Sequence, residues 1–242
     1  PKTHLANYLP IKVDEENLAE CSLFVPENCS TLTELLNTGM RTLFREDEPY
    51  SDLLRLKKSV DIIDALMESL IVLHEEAFSV HRDLTPSNVF WAKNKDGTGG
   101  IALPIDFACC VKIGERELFS VPRSPGYSNP ALLDEDTSVQ VDLYSLGALL
   151  LVLATGKACG DTDWVVSDLT YAINIEEPVG QKDLPYGVKS KLIEIISRAT
   201  TADNMAKPYD SVREMRVDLK ILLEIINSSG IHREVLLNGS EL

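Results

Sequence analysis

Asp83, Asn88 and Asp106 are the residues of this chain whose types and spacing could do chemistry. The first two lie in HRDLTPSN (81–88), where Pro86 blocks a regular helix. The third follows an apolar run, IALPI (101–105), which reads as the partner of VFWA (89–92) in a hairpin around NKDGTGG. Such a hairpin returns the chain, so Asp106 can come back beside Asn88. Asp and Asn side chains offer the hard oxygen ligands that Mg²⁺ prefers. Mg²⁺ in turn neutralises phosphate charge during phosphoryl transfer. Asp83 is left to orient a hydroxyl and accept its proton. The trio therefore reads as a phosphoryl-transfer site, with Asn88 and Asp106 as metal ligands and Asp83 as the base.

The elements that must position this trio can be read from periodicity and punctuation. LPIKV (9–13) and AECSLFV (19–25) suggest two short strands joined by the acidic turn DEEN, and PENCS (26–30) suggests a linker. Thr31 and Glu34 stand at capping-box spacing before a short helix stopped by Gly39. A long helix is expected from about Ser51 to Ala77, with Leu56, Val60, Ile63, Met67, Leu70 and His74 on one face. Residues 106–130 show little periodicity and read as a long loop. Val139 to Ala154 is apolar nearly all round, the mark of a helix buried on every side. Amphipathic helices are expected at 187–199 and 211–227, the second with Ser211 and Glu214 at capping-box spacing.

Composition narrows the class. The 242 residues carry 38 acidic against 23 basic side chains, a net charge of −15, which repels nucleic-acid backbones and anionic membranes. The five cysteines form no CxxC pair and no metal-ligand spacing with histidine, so a reducing, cytoplasmic setting is expected. The longest apolar run, LYSLGALLLVLATG (143–156), is too short to span a bilayer and suits a core helix.

The motifs also carry a family resemblance. His81-Arg82-Asp83 with Asn88 resembles the catalytic loop H-R-D-x-x-x-x-N of protein kinases, and Asp106-Phe107-Ala108 resembles the D-F-G magnesium motif. SPGYSNPA (124–131) resembles the substrate-binding loop that leads to A-P-E. DLYSLG (142–147) resembles the start of the central buried helix, and DNMAKPYDSVREM (203–215) the terminal segment of bacterial-type Ser/Thr kinases. The resemblance implies an α+β, protein-kinase-like fold: a mainly helical C-terminal lobe (29–242) behind a truncated β N-terminal lobe and hinge (1–28).

By that resemblance the cofactors are ATP and Mg²⁺, and the acceptor is a protein hydroxyl. Phe24 falls at the gatekeeper position. The Val25 carbonyl and the Glu27 amide face adenine, with Pro26 between them and Phe90 under the purine. Asp142 holds the catalytic-loop backbone from below. Arg82 steadies the 106–130 loop, through a phosphate on Ser120 or Ser124 if one is present. Thr85 occupies the catalytic-loop position where Ser/Thr kinases carry a Lys.

Departures from the family pattern set the alternatives. No Gly-rich phosphate loop and no V-A-I-K strand precede Leu18, so a separate or upstream N-lobe is one expected partner. Ala108 replaces the motif Gly, Ala131 replaces the Glu of A-P-E, and Lys207 stands near the usual Arg position. These features admit a catalytically impaired pseudokinase that engages a regulatory protein partner. A small-molecule phosphotransferase shares the H-x-D-x-x-x-x-N loop and would suit PIDF (104–107), but not SPGY or DLYSLG.

Overall fold

The computed structural model describes residues 29–43, 51–94, 99–115, 124–129, 138–156, 175–200 and 207–238. The two strands expected at 9–13 and 19–25, and the hinge residues Phe24, Val25, Pro26 and Glu27, lie outside them.

The described chain opens with strand β1 (Cys29–Thr31) and helix α1 (Leu32–Asn37). Thr31 accepts from the Glu34 N–H at 3.1 Å, while the Glu34 carboxylate accepts from the Thr31 N–H at 2.8 Å, so the expected capping box is complete. The expected linker at 26–30 is corrected in its last two residues: Cys29 and Ser30 pair with Ala92 and Trp91 of a later strand. That partner, not local pattern, makes them extended.

Helix α2 (Asp52–Glu75) starts at Ser51, whose hydroxyl accepts from the Leu54 N–H. Its apolar positions recur at helical spacing, and Leu56, Val60, Ile63, Met67 and Leu70 are buried. The hairpin follows as β3 (Val89–Lys93) and β4 (Gly100–Pro104), with Val89 opposite Pro104 and Lys93 opposite Gly100. With β1 it forms a three-stranded sheet in the order β1–β3–β4. The segment expected to be loop throughout holds a small correction: β5 (Val111–Lys112) pairs antiparallel with β2 (Ser79–Val80). Strands this short depend on their surroundings rather than on their own pattern.

Helix α3 (Gln140–Thr155) is buried at every residue from Val141 onward. Short α4 (Glu176–Gly180), then α5 (Tyr186–Thr200) and α6 (Val212–Asn238), complete the helical body. At the start of α6 only half of the expected box forms: Ser211 accepts from the Glu214 N–H, but the Glu214 carboxylate accepts from Asp210 N–H instead of Ser211. α2 is the hub, packing on β4, α3 and α6, and α5 packs on both α3 and α6. The approach of α3 to α5 is close at Gly147, where a Cβ would stand 2.8 Å from Ala199 Cβ. Buried Arg55 ties α2 to the end of α3 by donating to Leu153 O at 2.8 Å, and reaches Gly39 O at 3.2 Å.

Among the described residues no helix is long and apolar enough to cross a membrane. Among the described residues Cys29, Cys109 and Cys110 form no disulfide with one another; burial, followed by Glu34 nearby, pushes the Cys29 thiol up.

Candidate active site

The catalytic-loop candidate is built on α3. Asp142 and Ser145 lie three residues apart and so share a helix face. The buried Asp142 carboxylate accepts from the backbone N–H groups of His81 at 2.8 Å and Arg82 at 2.9 Å. His74, at the end of α2, donates from Nε2 to the same carboxylate at 2.8 Å. One turn on, the Ser145 hydroxyl donates to Tyr127 O at 2.8 Å. One buried helix thereby holds both HRD and SPGY.

The bonds from Asp142 stabilise a backbone that would otherwise relax. Arg82 sits at φ +70, in the left-handed region that a long side chain avoids. Such a residue costs about 1–3 kcal/mol, which charge-assisted bonds to its own N–H can offset. The Asp142 carboxyl lies below the usual carboxylate range. Burial alone would raise it, but hydrogen bonds and charge from His74, with His81 behind them, outweigh that penalty.

Asp83 emerges from this bend half-buried. Its Oδ2 accepts from Asn88 Nδ2 at 2.9 Å, and its Oδ1 accepts from the Ser124 hydroxyl at 2.8 Å. Asn88 Nδ2 also donates to the Asp83 carbonyl at 2.9 Å. Both contacts use the amide nitrogen, so the Asn88 carbonyl oxygen is the end left for other partners. Backbone pairing brings Asp106 near: Ile105 N–H donates to Asn88 O at 2.9 Å, one residue before Asp106.

Asp106 itself is exposed and left-handed at φ +61, a conformation Asp tolerates through local hydrogen bonds. Its carboxylate accepts from the Ala108 N–H at 3.3 Å. His81 steadies the turn that follows. Its Nε2 donates to Ile105 O at 3.0 Å, and its ring lies 5.0 Å from that of Phe107. Phe90, two residues beyond Asn88, is half-buried on β3 opposite Thr31 and Leu103. The structure thus brings Asp83, Asn88 and Ser124 into contact and aligns Asp106 and Phe90 with them through the hairpin.

Residues 18–207 match the protein kinase domain family. The chain belongs to the protein kinase family. It is 25% identical over 202 residues to the MAP kinase kinase mkk-4 of Caenorhabditis elegans, covering 79% of this chain and 53% of that protein. It is 28% identical over 203 residues to a "Probable serine/threonine-protein kinase" of Streptomyces coelicolor, covering 81% of this chain and 27% of that one. The chain spans about half, or less, of the length of these curated relatives.

Three of the departures from the family pattern, at positions 85, 108 and 207, fall on described residues. Ala108 lies in the short 3₁₀ turn Phe107–Cys109, and the left-handed residue of the motif is Asp106 instead. The Thr85 hydroxyl stands 2.9 Å from Ser87 Oγ, and its side chain is buried. Lys207 is exposed and pairs with Asp210 at 3.1 Å, while Ala131 and Ser120 lie outside the described residues. Arg82 is buried at 3% exposure, its backbone held by Asp142.

Two roles were missed by reading the sequence. His74 was expected only as one of the residues on the apolar face of the long helix, yet it is a side-chain partner of Asp142. Their separation of 68 residues leaves no local signal. Ser124 was singled out for modification, whereas its hydroxyl lies on Asp83; only its place in SPGY marked it.

Proposed function

We propose that this kinase lobe transfers the ATP γ-phosphoryl group to a protein hydroxyl. The contact that carries the reading is the Asp83 carboxylate held by Asn88 on one oxygen and by Ser124 on the other. A carboxylate fixed this way is oriented to accept a proton from an incoming hydroxyl. Asn88, through its free amide oxygen, and Asp106, through its exposed carboxylate, would hold Mg²⁺; hard oxygens are the donors that ion takes. When bound, the ion supplies charge neutralisation at the phosphates. Val25 and Glu27 would take the adenine edge and Phe90 its face. Arg82, buried beside Asp83, would act as a positioning residue.

The test uses the full-length protein that carries this chain. Labelled ATP is incubated with a protein extract and, separately, with a panel of aminoglycosides and sugars. Incorporation into protein, lost in Asp83→Asn, is the expected result; incorporation into the small molecules alone would overturn the acceptor class.

One observation favours a second reading, a pseudokinase that binds a regulatory partner. Position 85 offers no cation, and its hydroxyl is engaged by Ser87. Thermal shift with MgATP separates the two. A stabilisation lost in Asp106→Asn but kept in Asp83→Asn supports the enzyme; no shift with nucleotide supports the binding module.

A further inference from the structure

Among the described residues four that are not glycine have positive φ: Met40, Phe78, Arg82 and Asp106. The last three sit on the two arms of one small clip, the pairing of β2 with β5. β2 leads straight into HRD, and β5 follows the turn that starts at Asp106. Backbone strain gathers at active sites and switches, where the surroundings must over-determine it.

The three residues are not supported alike. Arg82 is fixed through the buried bond from its N–H to Asp142. Asp106 is of a type that tolerates the left-handed region. Phe78 has neither support. It sits at φ +49, where a bulky side chain is an outlier. Its side chain is 64% exposed, so burial does not compensate for the conformation.

What holds Phe78 comes from the other arm. The peptide groups on either side of a residue set its backbone angles. The carbonyl before Phe78, Ala77 O, accepts from Lys112 Nζ at 2.8 Å, and its own carbonyl accepts from the Ile113 N–H at 2.9 Å. The Ser79 hydroxyl, also on Ala77 O at 2.9 Å, is local and moves with the turn. The clip is two residues long on each side, with Val80 and Val111 as its buried pair. A pairing so short is marginal by itself. Ile113, just beyond it, is exposed and adds no core.

We propose that Phe78 is a strained joint that favours opening of the clip: β5 leaves β2, and the Phe78 backbone relaxes while the helical body stays folded. The left-handed conformation raises the opening equilibrium about 5- to 30-fold over an unstrained joint. The turn at Asp106 is tied upstream at Ile105, whose N–H donates to Asn88 O and whose carbonyl accepts from His81 Nε2. Phe107 and Cys110 rest against the core, and the clip is the tie downstream of them. Opening therefore frees one end of that turn and leaves the other in place. The joint stands on backbone geometry alone; under the proposed function, the closed clip is the state that keeps Asp106 in line with Asn88.

Hydrogen exchange tests this in the full-length protein that carries the chain. It is read by mass spectrometry, with fragmentation to resolve the Ile113 amide and with the α3 amides as reference in every variant. The Ile113 amide is expected to exchange at least tenfold faster than the α3 amides, on the order of what separates local from global opening. Its rate should not respond to low urea, because a local opening exposes little surface. Phe78→Asn, which accepts positive φ more readily, should slow Ile113 exchange about fivefold. Phe78→Ala removes the exposed ring but keeps the backbone penalty, and should leave the rate within about twofold. The proposal is overturned if Ile113 exchanges together with the α3 amides and shares their urea dependence, if Phe78→Asn does not slow it, or if Phe78→Ala slows it as much as Phe78→Asn.

Discussion

The Ser124 hydroxyl donates to Asp83 Oδ1 at 2.8 Å, so the residue that opens SPGY touches the carboxylate of HRD across 41 positions of chain. With Asn88 on the other oxygen, neither end of the carboxylate is free to turn. Orientation of this kind acts on the chemical step rather than on nucleotide binding. In the full-length protein, Asp83→Asn is expected to lower kcat by about 10²–10⁴. Ser124→Ala should cost about tenfold in kcat, the loss of one bond to a charged group, with KM for ATP nearly unchanged. A Ser124→Ala variant that loses only in KM would contradict the positioning role.

Asp142 and His74 predict the stability of the loop. Removing either partner strands buried polar groups: His74→Ala leaves a buried carboxylate short of a donor, and Asp142→Ala leaves the His81 and Arg82 N–H groups without their acceptor. Each should destabilise the fold by about 3–5 kcal/mol in urea unfolding. A variant of either kind with a native midpoint would show that the pair is dispensable.

The same carboxylate sets an acid limit. Its folded-state pKa is lowered, despite burial, by His74 and His81. A lowered folded pKa gives stability that is present above the unfolded pKa and lost as pH falls through the folded one. Asp218 shifts the same way, as Lys191 and Tyr209 outweigh its burial. The unfolding midpoint should therefore hold from about pH 7 to about pH 5 and decline below about pH 4, where unperturbed carboxylates titrate. A midpoint that rises on acidification below about pH 4 would contradict this assignment.

Much of this architecture was legible from residue pattern, and the exceptions have physical causes. α2, α3 and the hairpin are long or sharply punctuated, so apolar spacing and turn residues announce them. Asp83 and Asn88 lie five residues apart, within one loop, and their contact follows from local geometry. Cys29–Thr31 has no alternating pattern, and its strand exists because β3 offers an edge. β2 and β5 have two residues each, too few for any period to register. Ser124 on Asp83 and His74 on Asp142 are products of tertiary packing, and no window of sequence contains both members.

Helix packing at Gly147 supplies a fourth prediction. A methyl group there would meet Thr200 Cγ2 at 2.7 Å and Ala199 Cβ at 2.8 Å, so α3 and α5 must separate to admit it. Gly147→Ala should cost about 1–3 kcal/mol even though alanine is the better helix former. A stabilised Gly147→Ala variant in thermal unfolding would show that the helices can yield without loss.

Two arginines on α6 make a matched comparison. Arg216 is 20% exposed and forms a two-pronged pair with Asp64, plus a bond to Glu68. Arg213 pairs with Glu75 in open solvent, where screening and side-chain entropy cancel most of the attraction. Arg216→Ala should lower stability by about 1 kcal/mol, whereas Arg213→Ala should leave the midpoint where it was. Equal effects would refute the distinction between the two.

The counter-ion of Asp64 and Glu68 lies 152 and 148 residues further along the chain. During translation at roughly 5–20 residues per second, that gap lasts on the order of 10–30 s. Until α6 leaves the ribosome, the nascent hub helix keeps an open flank and carboxylates with no guanidinium to meet them. Synthesis that stalls near residue 200 would leave a chain that exposes apolar surface to aggregation and chaperones, because α6 is the segment that covers this flank of α2.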